Sequence, residues 1–167
     1  MTVLSRANTA TVKVTYGGCH DDLRRAGVAA EMTNLLITGS RDASPAMLDA
    51  AYRAVERAHE HGWHIVVGDA RGVDKQVIYA CHLKGVPFKF YGITTAPRNS
   101  CCLEHIRECY VHCDTKSYLS RDEIMVRHAD RCLAIWDGVS RGTKYTLDYA
   151  RKLGIQTDVM EFKVVKA

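Results

Sequence analysis

From residue 34 onward, apolar and polar positions follow a regular alternation. Short apolar runs stand at 35–38 (LLIT), 64–67 (HIVV), 86–92 (VPFKFYG), 132–136 (CLAIW) and 155–162 (IQTDVMEF). Longer stretches with helical periodicity lie between them. The clearest follows Ser44-Pro45, where Met47, Ala50, Ala51, Ala54, Val55, Ala58 and His61 recur at helical spacing until Gly62. Ser44 suits an N-cap and Pro45 the first helical position. A second helix is predicted to end at Lys84-Gly85, and a third over about 143–153, stopped by Gly154. The strands are apolar on both faces, the sign of a parallel sheet covered by helices on both sides. The pattern predicts an α/β fold over 34–162: a Rossmann-like parallel sheet with helices on both faces.

Two segments depart from this rhythm. Residues 1–33 read as an N-terminal extension to a domain at 34–167, with a strand-like alternation at 10–18 and then a short polar helix or loop. Residues 93–120 read as an insertion. Within it Cys101, Cys102, His105, Cys109, His112 and Cys113 crowd together. On a helix over 102–113, Cys102, His105, Cys109 and Cys113 would share one face. Thiolate and imidazole are the preferred ligands of zinc. A straight helix cannot wrap four ligands round one ion, so small buried residues are expected there rather than a metal site.

Composition narrows the class. The 167 residues fit one domain, and 47% hydrophobic with 25% charged residues excludes a disordered chain. No apolar run approaches the ~18 residues of a membrane span. The first residues lack the pattern of a signal peptide, so a cytoplasmic location is expected. The net charge of +4 suits a phosphate-bearing ligand without demanding nucleic acid. The 7 cysteines are then expected to be thiols rather than a disulfide framework.

The chemistry is suggested by the glycines. Gly39, Gly68 and Gly138 each end or closely follow an apolar strand, and each turn leads into a helix. In an open parallel sheet, ligands bind outside the carboxyl ends of the strands. A helix N-terminus offers unpaired N–H groups and a partial positive charge to an anion. The turn at 138–143 is the best phosphate cradle, with Gly138, Gly142, the hydroxyls of Ser140 and Thr143, and the cation Arg141. Neither G-x-G-x-x-G in the first turn nor G-x-x-x-x-G-K-[ST] anywhere is present, which argues against a standard dehydrogenase and a P-loop NTPase. Trp136, just before the Asp137-Gly138 turn, is the better stacking aromatic of the two tryptophans.

Taken together, LLITGSRD (35–42), IVVGDARGVDKQVIYA (65–80) and the stretch 120–155 resemble the SLOG superfamily, in the branch related to the bacterial YpsA proteins. The resemblance covers roughly 34–92 and 120–160. It implies a Rossmann-like domain that binds a nucleotide or nucleotide-derived small molecule, without a resident cofactor or metal. It places Gly39, Ser40 and Arg41 at the ligand's border, and Gly68, Arg71, Gly72 and Asp74 in a second wall. Arg121 and Asp122 reach over the ligand, while Gly138, Ser140, Gly142 and Thr143 hold phosphate in the turn that Asp137 opens. Asp69 stands where the family often has glycine, and would keep phosphate away or bind a ribose hydroxyl or a metal.

The LOG phosphoribohydrolases of this superfamily carry a glutamate where this chain has Thr146. A sensor or carrier is therefore the first reading. The alternative is an N-glycosidase on nucleoside 5′-monophosphates, with Asp74 or Asp122 doing acid–base work and Arg41 and Arg121 balancing phosphate charge. The DprA branch adds single-stranded DNA binding as a third reading, which needs a basic groove with stacking aromatics. No membrane partner is implied, and a homodimer is left open.

Overall fold

Leu35, Leu36 and Ile37 are consecutive in a strand, so they point to alternating faces, yet all three are buried. Such a strand needs cover on both sides. The computed structural model describes residues 10–15, 32–98 and 106–164, and there it supplies that cover. The strands are β1 (Ala10–Thr15), β2 (Asn34–Gly39), β3 (His64–Gly68), β4 (Phe88–Gly92), β5 (Tyr110–His112), β6 (Arg131–Trp136) and β7 (Gln156–Val164). The helices are α1 (Pro45–His61), α2 (Val73–Lys84), α3 (Tyr118–Arg127) and α4 (Arg141–Lys152).

The strands form one sheet in the order β1-β7-β6-β2-β3-β4-β5. Six of them, β7 to β5 in that order, are mutually parallel. The chain runs outward from β2 through β5, then crosses back to place β6 on the other side of β2. The strand order therefore reverses between β2 and β6, where open α/β sheets form their ligand crevice.

α1 shows how local chemistry sets the elements. The Ser44 hydroxyl accepts the Met47 N–H at 3.3 Å, Pro45 follows, and Gly62 caps the end. Its buried face is Met47, Ala50, Ala51, Ala54, Val55 and Ala58. Four alanines let the helix lie close to the sheet; His61 turns outward and stacks on Trp63. With α2 it covers Ile37, Ile65, Val67, Phe88, Phe90 and Ile135. The opposite face, with Leu36, Val66, Tyr91 and Cys132, is covered by Met125 and Val126 of α3 and Ala150 of α4. Each large aliphatic side chain buried in this way contributes roughly 1.5–3 kcal/mol.

Residues 10–15 join the main sheet as β1, an edge strand antiparallel to β7 with Ala10 opposite Val164 and Thr15 opposite Val159. The described part of 93–120 does not stand apart from the sheet: β5 lies parallel beside β4 as the other edge strand, and α3 begins at Tyr118. Nor is 102–113 one helix in its described part: Arg107–Cys109 is a single 3₁₀ turn that leads into β5. Cys109 packs against the α1/α2 side of the sheet and Cys113 against the α3/α4 side, so the two thiols do not share a face. Cys101, Cys102, His105 and the segment 19–31 lie outside the described residues. Among the described residues no helix is long and apolar enough to cross a membrane.

Candidate functional site

The turns after β2 and β3 lock into each other. The Ser40 N–H donates to the Ile135 carbonyl at 3.2 Å, its carbonyl accepts the Val73 N–H at 3.2 Å, and its hydroxyl accepts the Asp137 N–H at 3.1 Å. One fully buried serine thus stitches β2, β6 and the start of α2 together. Val73 packs so closely that a Cβ on Gly39 would lie 2.5 Å from its side chain. Gly72 takes φ +77° with the carbonyls of Ser40 and Arg41 pressed against it, which excludes a side chain. The first N–H of α2 is therefore already occupied. Arg41 is exposed, and Arg71 reaches across to Asp42 at 3.0 Å on the surface.

Beneath these turns lies a cluster of charges. Asp69 is fully buried. It accepts from the Arg98 N–H at 3.1 Å and from Arg98 Nε at 2.9 Å, and pairs with Arg121 Nη1 at 3.0 Å. Arg121 also bonds the Tyr91 carbonyl at 3.0 Å, and meets Asp122 through Nε at 2.9 Å and Nη2 at 2.8 Å. Asp74, in the first turn of α2, accepts the Ala70 N–H at 3.2 Å. A Cβ on Gly68 would stand 2.5 Å from Asp74 Oδ2 and 2.8 Å from Arg121 Nη1, so the cluster closes over that glycine.

Burial pushes the Asp74 carboxyl up to about 7, against the pull of Arg121 and the Ala70 N–H. Burial raises Asp122 as well, held back by Arg121 and by the Thr146 hydroxyl. Arg121 is lowered by burial, but Asp122, Asp74 and Asp69 outweigh this and leave it raised.

The turn after β6 is built differently. Asp137 Oδ1 accepts the N–H groups of Val139 and Ser140 at 2.9 and 2.8 Å, and the Trp136 indole N–H holds the Ser140 carbonyl at 3.0 Å. These three bonds hold the turn before α4 starts. No side chain caps the first turn of α4; the Ser140 hydroxyl instead meets the Thr143 hydroxyl at 3.3 Å. Arg141 and Gly142 are exposed, and a Cβ on Gly142 would meet nothing within 4 Å. Deeper in α4, Thr146 donates to the Gly142 carbonyl at 3.0 Å and also lies in hydrogen-bond reach of Asp122.

The residues singled out in the sequence therefore fall into three groups. Arg41, Arg71 and Gly142 face solvent; Gly39, Gly72, Asp137, Gly138 and Ser140 are partly covered; Ser40, Gly68, Asp69, Asp74, Arg121, Asp122 and Thr143 are buried. The carboxylates of Asp69 and Asp137 are engaged by Arg98 and Arg121 and by backbone N–H groups respectively. Arg98 and Tyr118 were not anticipated: the Arg98 guanidinium lies 3.7 Å from the Tyr118 ring centre and ties 93–98 down onto Asp69. A buried aspartate demands a cation, which is the sequence signal for such a partner, though not for its identity. A cavity of about 600 Å³ lies at the amino-terminal end of the strands instead, lined by Asn34, His64, Lys89 and His128 among others.

No protein-family model matches the chain, and no curated protein does. Solved structures with the same fold do exist. The molybdenum cofactor binding protein of Rippkaea orientalis superposes with a TM-score of 0.60 at 16% identity, over 77% of this chain and 76% of that one. The molybdenum cofactor carrier protein of Chlamydomonas reinhardtii gives 0.59 at 16%, over 76% and 75%. DNA processing protein A of Helicobacter pylori, described for its single-stranded DNA binding, gives 0.60 at 17%, over 88% and 70%. At these identities the likeness is one of fold: a Rossmann-like parallel sheet shared with carrier and DNA-processing proteins.

Proposed function

We propose that this chain binds a phosphate-bearing, nucleotide-type small molecule over the carboxyl ends of β2 and β6, and acts as its carrier or sensor. The phosphate rests on the N–H groups of Gly142 and Thr143, with Arg141 and Arg41 at the rim. One observation carries this reading: of the two helix N-termini that follow β3 and β6, α2 is closed by the Ser40 carbonyl, whereas α4 stands uncapped beside open space. Uncapped N–H groups at the positive end of a helix dipole favour an anion. The fold's occurrence in two molybdenum cofactor proteins supports a carrier role. The test is a thermal-shift panel of nucleoside mono- and diphosphates, with the molybdenum cofactor included. A ligand at a hundred times its Kd should add about 2.7 kcal/mol and raise Tm by several degrees. A flat panel, with salt-sensitive retention of single-stranded DNA instead, would reject the small-molecule reading.

A hydrolytic reading draws on a different contact. Asp122 meets Thr146, so a carboxyl from α3 stands at the face of α4 where the LOG pattern carries its glutamate. Base release from nucleoside 5′-monophosphates that is lost in Asp122→Asn would favour it. Binding without release favours the carrier.

A further inference from the structure

The face of the sheet under α3 and α4 is not covered along its whole length. Asn34 pairs with His64, and Val66 with Lys89, in the parallel register. Side chains alternate along each strand, so Asn34, His64, Val66, Lys89 and Tyr91 project from this one face. α3 packs over Val66 and Tyr91 and ends at Arg127. Beyond its end, at the amino-terminal ends of β2, β3 and β4, the cavity of about 600 Å³ opens. That volume is within the ordinary range of small-molecule sites, roughly 300–1,000 Å³. Lys89 lines it, exposed between the buried Phe88 and Phe90. A charged side chain in the middle of a covered strand would be costly, and the gap in the cover is what allows this one.

The fold leaves the polar groups that converge on this cavity available to a ligand. Lys89 Nζ donates to the backbone carbonyl of Glu108 at 3.2 Å, and among the described residues no carboxylate pairs with it. A carbonyl orients the ammonium without neutralising it, and leaves it further N–H donors. The imidazole of His64 and the side-chain amide of Asn34 are half-buried at the cavity, and neither has a hydrogen-bond partner among the described residues. Tyr91 and His128 make an aromatic wall: the hydroxyl meets Nδ1 at 3.0 Å, and the rings tilt at 52° with their centres 5.7 Å apart. We propose that this cavity is a second ligand site, for a small aromatic carboxylate. Lys89, His64 and Asn34 hold the carboxylate, and the ring lies on Val66 against Tyr91 and His128, where aromatic pairs gain beyond their buried area. α3 fixes the orientation. His128 caps its carbonyl end, whose partial negative charge repels an anion, so the carboxylate goes to Lys89 and the ring to His128. This site lies at the opposite end of the strands from the anion seat and does not depend on it.

The probe is naphthoate, with naphthamide as its uncharged counterpart. Each is titrated into the full ¹⁵N-labelled chain and followed by NMR. Naphthoate should give saturable shifts at the amides of 64–66 and 88–91 and at the ring signals of His64 and His128, while the Gly142 and Thr143 amides stay in place. Naphthamide should bind the same residues at least about tenfold more weakly, because it lacks the charge-assisted hydrogen bonds. Lys89→Met alters an exposed side chain. It should weaken naphthoate by a similar factor and leave the affinity for naphthamide unchanged, a split that a merely structural role would not produce. Should Lys89→Met disturb the unliganded spectrum, the comparison of the two probes on the unaltered chain decides alone. Equal affinity for the two probes overturns the proposal, as does the absence of saturable shifts at millimolar naphthoate. Shifts confined to the Gly142 and Thr143 amides also overturn it, and would leave the anion seat as the place where the carboxylate binds.

Discussion

Two glycines separate support from function at the scale of single residues. A Cβ on Gly68 would be driven into Asp74 and Arg121, both buried and already engaged. Gly68→Ala is expected to lower stability by about 2–4 kcal/mol in urea unfolding, the range of overpacking combined with a disturbed buried ion pair. A Cβ on Gly142 meets open space in the first turn of a helix, so Gly142→Ala should be neutral or add up to about 1 kcal/mol. Asp74 gives a prediction in pH. Its folded-state midpoint lies above its unfolded one, so the folded chain holds a proton that the unfolded chain releases. The stability this supplies is complete below about pH 4 and is lost as pH rises to about 7. Asp74→Asn removes the dependence. The stability of the variant relative to the unaltered chain should therefore climb between those limits by a few kcal/mol, then level off. A difference that is flat with pH in parallel urea titrations would contradict it.

Among the elements, β2, α1, β3, α2, β6 and α4 were legible because each buries a continuous apolar run or stripe and is bounded by a recognisable cap or turn. β5 was not, since its three residues are half-buried or exposed and sit at the sheet's edge, and so carry no apolar run. In the Cys/His segment, the described part from Arg107 onward folds as a 3₁₀ turn and a strand, which helical spacing alone does not reveal. The glycine turns were legible, but the contacts around them depended on partners far apart in sequence. Asp69 and Arg98 are 29 residues apart, Ser40 and Asp137 are 97 apart, and neither pairing has a local signature. The helix that holds the cluster yields its own test. Arg121→Met leaves Asp69 and Asp122 without their shared cation, a loss expected to cost about 3–5 kcal/mol. The cost should shrink in acid, where the Asp122 carboxyl, raised by burial, protonates; a cost that is equal at acid and neutral pH in urea unfolding would place the importance of Arg121 in packing alone.

For the molecule as a whole, the fold brings two different structures to one end of the sheet. Around β2, β3 and α3 the Ser40 backbone, Arg98 and Arg121 are engaged by partners within the chain, and that half is the floor. At the start of α4 no side chain caps the first turn, and the Gly142 backbone faces solvent. The central claim is that a phosphate-bearing ligand sits there. The most direct test is calorimetric titration of the nucleotide that gives the largest thermal shift, into the unaltered chain and into Gly142→Val. A Cβ at this exposed position meets nothing within 4 Å, so the variant should unfold at nearly the same temperature while its affinity falls at least about tenfold, or roughly 1.4 kcal/mol. Equal affinity in the two proteins, with both folded, would show that the N-terminus of α4 is not where the ligand binds.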